Sequence, residues 1–85
     1  MAERYFLYIL QSLRTQRFYV GQTQDLAGRV EYHNRYGNRF TRNRGPWKLV
    51  YWEAFPTRSQ ALSRERELKG KKSHRYLQWL ISASR

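Results

Sequence analysis

The sequence predicts an α+β fold: a three-stranded antiparallel sheet flanked by helices, in the order β-β-α-β-α-α. Three observations lead there. Two short runs dense in aromatic and branched residues, Tyr5 to Gln11 and Arg17 to Thr23, are joined by the polar stretch Ser12 to Gln16, the signature of an antiparallel hairpin. A third run of the same kind, Trp47 to Phe55, follows a basic loop. The remaining segments change to helical spacing, and one antiparallel sheet with helices packed on it buries both patterns.

Each element has its own signals. The first helix is expected over roughly Asp25 to Tyr36, with Thr23 or Asp25 as cap and Gly37 as its stop. Gly28 inside it costs about 1 kcal/mol against Ala, so a packing or access reason is expected there. Asn38 to Pro46 reads as a loop carrying Arg39, Arg42 and Arg44. After Pro56, Thr57 and Gln60 have capping-box spacing and open a helix to about Lys69, which Gly70, Lys71 and Lys72 are expected to break. Ser73 can cap a last helix whose Tyr76, Leu77, Leu80 and Ile81 share a face.

A chain of 85 residues without repeat, linker or low-complexity tract is expected to form a single domain over 1–85. It has no cysteine, which excludes disulfides and thiolate metal sites and makes a cytoplasmic setting the expectation. The apolar run Tyr5 to Leu10 is too short for a signal segment or a membrane span. No segment combines basic charge with a broad apolar helix face, so a membrane partner is not expected. The net charge of +11, thirteen of the seventeen cations being Arg, points to a polyanion, because the guanidinium fork matches phosphate oxygens.

Two helices contain residues that break their own pattern, which is where function tends to show. Ala61, Leu62, Glu65 and Leu68 fall at spacings of three and four, so Glu65 stands in an apolar stripe. It either forms an i,i+4 pair with Lys69 or lines a cavity and holds a cation. Leu26, Arg29, Val30 and His33 share a face of the first helix by the same spacing. Either Arg29 pairs with Asp25 and His33 is a rim residue, or the two form a phosphate site. Tyr8 and Tyr19 stand on adjacent strands of the hairpin, and Gly21 marks a close approach within a strand.

These residues, in this order, resemble the GIY-YIG nucleases, in particular their small bacterial stand-alone members. Leu7-Tyr8-Ile9 stands at the first half-motif and Tyr19-Val20-Gly21 at the second. Asp25-Leu26 with Arg29 and His33-Asn34 resembles the first-helix pattern, and Ala61-Leu62 with Arg64-Glu65 resembles the segment of the acidic ligand. Gly45-Pro46-Trp47 and Leu49-Val50-Tyr51 fit the entry and body of the third strand. The resemblance covers nearly the whole chain, and its specificity lies in the order and spacing of its parts. Two departures stand out: Phe6 occupies the glycine position of the first half-motif, and no Asn follows Asn43, whereas many members carry a late active-site Asn. Either that role is vacant or a residue such as Lys69 covers it.

The resemblance implies metal-dependent hydrolysis of DNA phosphodiester bonds, with a setting in DNA repair or recombination. Glu65 would hold Mg²⁺ or Mn²⁺. Tyr19 would activate the attacking water, with His33 as an alternative or partner, and Tyr8 would position that water or share the proton. Arg29 would offset charge building on the phosphate. Arg39, Arg42 and Arg44, with Arg64, Arg66, Lys69, Lys71 and Lys72, are expected to contact the nucleic-acid backbone, and Gly21 to allow its close approach. No recognition helix or zinc module is legible, so binding is expected to be weakly specific or directed by DNA structure, as at branches and flaps. RNA is a further candidate partner, and a non-catalytic nucleic-acid-binding module on the same fold is the competing reading.

Overall fold

A computed structural model of the chain describes residues 4–71 and 73–84. The elements are β1 (Tyr5–Ser12), β2 (Phe18–Thr23), α1 (Leu26–Arg35), β3 (Trp47–Phe55), α2 (Arg58–Lys71) and α3 (His74–Ala83), in the expected order. The sheet is antiparallel throughout, with β1 at its centre in the order β2-β1-β3.

The central place of β1 explains its unbroken apolar run, because both of its faces are covered. Leu7 and Ile9 point to one face and join Val20, Leu68, Leu77 and Ile81 in a core beneath α2 and α3. Tyr8 and Leu10 point to the other, where Trp47 and the half-buried Tyr19, Leu26 and Val30 pack with α1. The two-residue period of the strand thus assigns Tyr8 and Tyr19 to the α1 face.

The ends of the elements follow from local hydrogen bonds. β1 runs one residue past Gln11 because Ser12 is buried, donates to the Arg44 carbonyl at 2.6 Å and accepts from the Thr15 amide at 3.0 Å. Asp25 caps α1 by accepting from the Gly28 amide at 3.0 Å. That contact also accounts for Gly28, since any Cβ there would collide with the Asp25 carboxylate. Gly37 ends the helix with φ +77, and its amide donates to the Tyr32 carbonyl at 2.9 Å. Thr57 accepts from the Gln60 amide at 3.2 Å at the start of α2, and Ser73 caps α3 through the Tyr76 amide at 3.1 Å.

One boundary differs from expectation. α2 does not break at Gly70 but continues through it to Lys71. Nothing lies within 4 Å of a Cβ built on Gly70, so this glycine serves no turn or close approach. Its helix cost of about 1 kcal/mol is outweighed by the helix it belongs to, anchored at Ala61 and Leu68. Lys72 lies outside the described residues.

Candidate active site

The hairpin register sets Tyr8 opposite Gly21. The Tyr8 ring lies across the Gly21 backbone, and a Cβ on Gly21 would stand 2.5 Å from the tyrosine hydroxyl. The glycine therefore admits the phenol of its neighbour. It is itself buried, so direct contact with a nucleic-acid strand, expected from the sequence, is not the use this geometry makes of it.

Tyr8 is 2% exposed, and its hydroxyl lies 3.0 Å from Nε2 of His33, which is 3% exposed. The Tyr19 ring packs on His33 with centroids 4.9 Å apart and on Tyr8 at 6.4 Å. Two strands and one helix thus bring three of the sequence candidates into mutual contact. Burial, and then the neighbouring Tyr19, push the Tyr8 hydroxyl above the ordinary tyrosine range; Arg29 opposes the shift, while Glu65 and Tyr32 add to it. Burial, and then Arg29, lower His33 from 6.5 to about 4, so the imidazole is neutral at pH 7.

Arg29 is not on the inward face that helical spacing predicts. It is exposed at the rim, its guanidinium 5.1 Å from the Tyr32 ring centroid, while its charge still acts on both Tyr8 and His33. It does not pair with Asp25, whose carboxylate is spent on the cap. Nor is His33 a rim residue.

Glu65 is the sheltered acid of α2, its side chain 18% exposed, and Lys69 meets it at 2.6 Å. Lys69 Nζ also stands 5.9 Å from the Tyr19 ring centroid, which ties this pair to the β2 edge. An open cleft of about 510 Å³ runs along that edge, lined by Arg17, Phe18, Tyr19, Phe40 and Lys69 among others, so solvent reaches Tyr19 but not Tyr8.

The other described acids are committed elsewhere. Glu31 pairs with Arg35, while Glu53 and Glu67 both hold Arg64. Arg64 is therefore a structural cation and not part of the expected phosphate patch. Among the described residues no three His, Cys, Asp or Glu side chains cluster to cage a metal. The oxygen donors available, one carboxylate with phenols nearby, fit a hard divalent cation that keeps most of its waters. They do not fit a zinc site gripped by several side chains.

Two residues that sequence reasoning passes over complete the cluster. Asn38 donates from Nδ2 to the Tyr19 hydroxyl at 2.9 Å. The Thr41 hydroxyl, on a residue 1% exposed, lies 2.8 Å from Nδ1 of His33. Trp47 holds this turn by donating from its indole to the Thr41 carbonyl at 2.9 Å. An amide side chain thus reaches the site from ahead of β3, not from late in the domain. Arg39, Arg42 and Arg44 are exposed on the same loop, although Arg44 also donates to the Phe40 carbonyl at 2.9 Å. Lys71 is exposed on α2, 5.3 Å from the Tyr76 ring centroid.

A family profile described as the GIY-YIG catalytic domain matches residues 4–77. The chain is 43% identical to a UPF0213 protein of Haloquadratum walsbyi over 70 residues, 81% of this chain and 78% of that one. It is 39% identical to a UPF0213 protein of Clostridium perfringens, covering 93% of this chain and 85% of the relative. Among solved structures, the solution NMR structure of a UPF0213 protein from Bacillus halodurans shares the fold with a TM-score of 0.59 and 34% identity, covering 94% of this chain and 84% of that chain.

Proposed function

The chain belongs to the GIY-YIG catalytic-domain family, a nuclease superfamily, and from that premise we propose that it is a divalent-metal-dependent endonuclease hydrolysing DNA phosphodiester bonds. Substrate choice in this reading is weakly sequence-specific or directed by DNA structure. The setting is cytoplasmic, in DNA repair or recombination.

The observation that carries the reading is the convergence of Tyr8, Tyr19 and His33, with Arg29 at the rim and Glu65 close enough for its charge to act on Tyr8. Tyr19 is the phenol that solvent reaches, and it activates the attacking water beside a neutral His33. Tyr8 positions that water or shares its proton from behind. Arg29 offsets the charge that builds on the phosphate oxygens. Glu65 holds Mg²⁺ or Mn²⁺, and that ion, when bound, supplies polarisation of the phosphate and stabilisation of the leaving oxygen. Lys69 must release Glu65 first. An i,i+4 helix pair whose lysine is half-exposed contributes only about 0.2–1 kcal/mol, so the release costs little. Arg39, Arg42, Lys69 and Lys71 hold the backbone.

The Lys69 ammonium on the Glu65 carboxylate also favours a second reading, a non-catalytic binding module whose acid is permanently paired. Cleavage of a panel of duplex, flap, junction and single-stranded DNA, with an RNA counterpart, separates the two. The nuclease reading expects cleavage that needs Mg²⁺, and a fall of at least about 10²-fold on Glu65→Ala with DNA affinity retained. Wild type and Glu65→Ala behaving alike across the panel would overturn it and leave the binding module.

A further inference from the structure

The turn that follows α1 is wired into both tyrosines, and its hydrogen bonds leave little freedom in where the protons lie. The Asn38 amide is anchored first. Its Oδ1 accepts from the backbone amides of Phe40 at 2.8 Å and Thr41 at 3.1 Å, so that atom must be the oxygen and Nδ2 must face Tyr19. The Thr41 hydroxyl lies 3.2 Å from the same Oδ1 and accepts from the Asn38 backbone amide at 2.9 Å. The hydroxyl donates its proton to that oxygen, and the Tyr8 phenol, a better donor than acceptor, is the natural proton source for the imidazole. With its single proton used, Thr41 Oγ1 can only accept from His33 Nδ1 at 2.8 Å. The imidazole then carries its proton on Nδ1, and Nε2 is the bare nitrogen that accepts from the Tyr8 hydroxyl at 3.0 Å.

We propose that Asn38 and Thr41 are positioning residues that set the proton polarity of the site: Thr41 fixes His33 as its Nδ1–H tautomer, so that the buried Tyr8 donates to Nε2, while Asn38 occupies one lone pair of Tyr19 and holds that phenol at the cleft. The Tyr8 proton is then committed to the imidazole, and Tyr19 is left as the phenol whose remaining lone pair faces the water of the cleft. The significance for cleavage rests on the nuclease reading above, whereas the tautomer itself does not. The groups facing His33 are Tyr8 from β1, Tyr19 from β2, Arg29 and Tyr32 from α1 and Thr41 from the turn; none is an acid that would draw a second proton onto the ring. Burial and Arg29 keep the ring neutral, so a single tautomer is the form to be read.

The test is the side-chain ¹⁵N spectrum of the two imidazoles in the metal-free full chain at pH 7, with His74→Gln assigning the second ring. His33 is expected as Nδ1–H with an unprotonated Nε2. Thr41→Val, which keeps shape and removes the hydroxyl, is expected to release Nδ1 and move the ring toward Nε2–H, and Thr41→Ser to restore the wild-type spectrum. In Mg²⁺-dependent cleavage, Thr41→Val is expected to lower kcat by about 10²-fold with KM within about threefold, and Thr41→Ser to recover most of it. An Nε2–H ring in the wild type, or the same tautomer in wild type and Thr41→Val, overturns the proposal. If Thr41→Val does not fold, the wild-type and Thr41→Ser spectra still decide it. A chain that cleaves nothing refutes the nuclease reading but leaves the tautomer result standing.

Discussion

At the scale of single residues, His33 ties function to stability. Its imidazole is buried, hydrogen-bonded at both nitrogens and lowered from 6.5 to about 4, chiefly by burial and then by Arg29. The unfolded chain takes up a proton there near pH 6.5, and the folded chain resists until about pH 4. The stability this ring contributes is therefore complete above pH 6.5 and is lost as pH falls toward 4. At ~1.4 kcal/mol per unit, the loss amounts to about 3 kcal/mol. Urea unfolding at stepped pH should show it, and His33→Gln should flatten the profile in that window. An equal acid slope in the variant would assign the loss to other groups. His33 is legible in the sequence because a histidine sharing a helix face with Leu26 and Val30 breaks a rule. Asn38 and Thr41 are not legible in the same way. Asn and Thr in a loop after a helix-ending glycine read as ordinary turn formers, and only the folded chain brings that turn against Tyr19 and His33. The one signal available is their spacing of three, which suits a side chain capping its own turn.

The elements were legible wherever the local pattern and the packing agree. β3 falls on Trp47–Phe55 as its ring-rich composition predicts, and the caps at Asp25, Thr57 and Ser73 act where their chemistry places them. The end of α2 was not legible, because a glycine beside two lysines resembles a stop but bears only a weak propensity penalty. Arg29 was misplaced for a related reason. Helical spacing tells which residues share a stripe, but the exposed edge of that stripe depends on how α1 lies on the sheet. Gly70 bears on stability directly. The residue sits in a regular helix with open space around it, so Gly70→Ala should stabilise the chain by roughly 0.5–1 kcal/mol, mainly through the unfolded state. Thermal melts should show a rise of a few degrees. Because Gly70 is next to Lys69 and Lys71 but touches neither tyrosine, cleavage should be unchanged. Destabilisation by alanine would mean that α2 ends earlier in solution.

For the whole molecule, the charge is organised by what its few acids do. Glu31, Glu65 and Glu67 are each engaged by a cation on their own helix, Glu53 on β3 by Arg64 of α2, and Asp25 by the start of α1. These few acids cannot balance the seventeen cations, which is the source of the net +11. Among the described residues no ion pair engages Arg39, Arg42, Arg44, Arg66 or Lys71. Three of these stand on the loop that also carries Asn38 and Thr41, so whatever strand they hold lies beside the tyrosine pair. A basic surface of this kind fits a polyanion, and no helix of the described residues is long and apolar enough to cross a membrane. Each backbone phosphate neutralised releases counterions, so log affinity should fall linearly with log salt at a slope of about −0.9 per contact for duplex DNA. Replacing Arg39, Arg42 and Arg44 together by Ser should make that slope shallower by about 2 to 3, weaken all sequences alike and leave the tautomer of His33 untouched. Fluorescence anisotropy between 50 and 200 mM salt reads the slope directly. An unchanged slope in the triple variant would move the contact surface to the α2 side, to Arg66, Lys69 and Lys71, and the strand would then enter along the β2 edge where Tyr19 meets solvent.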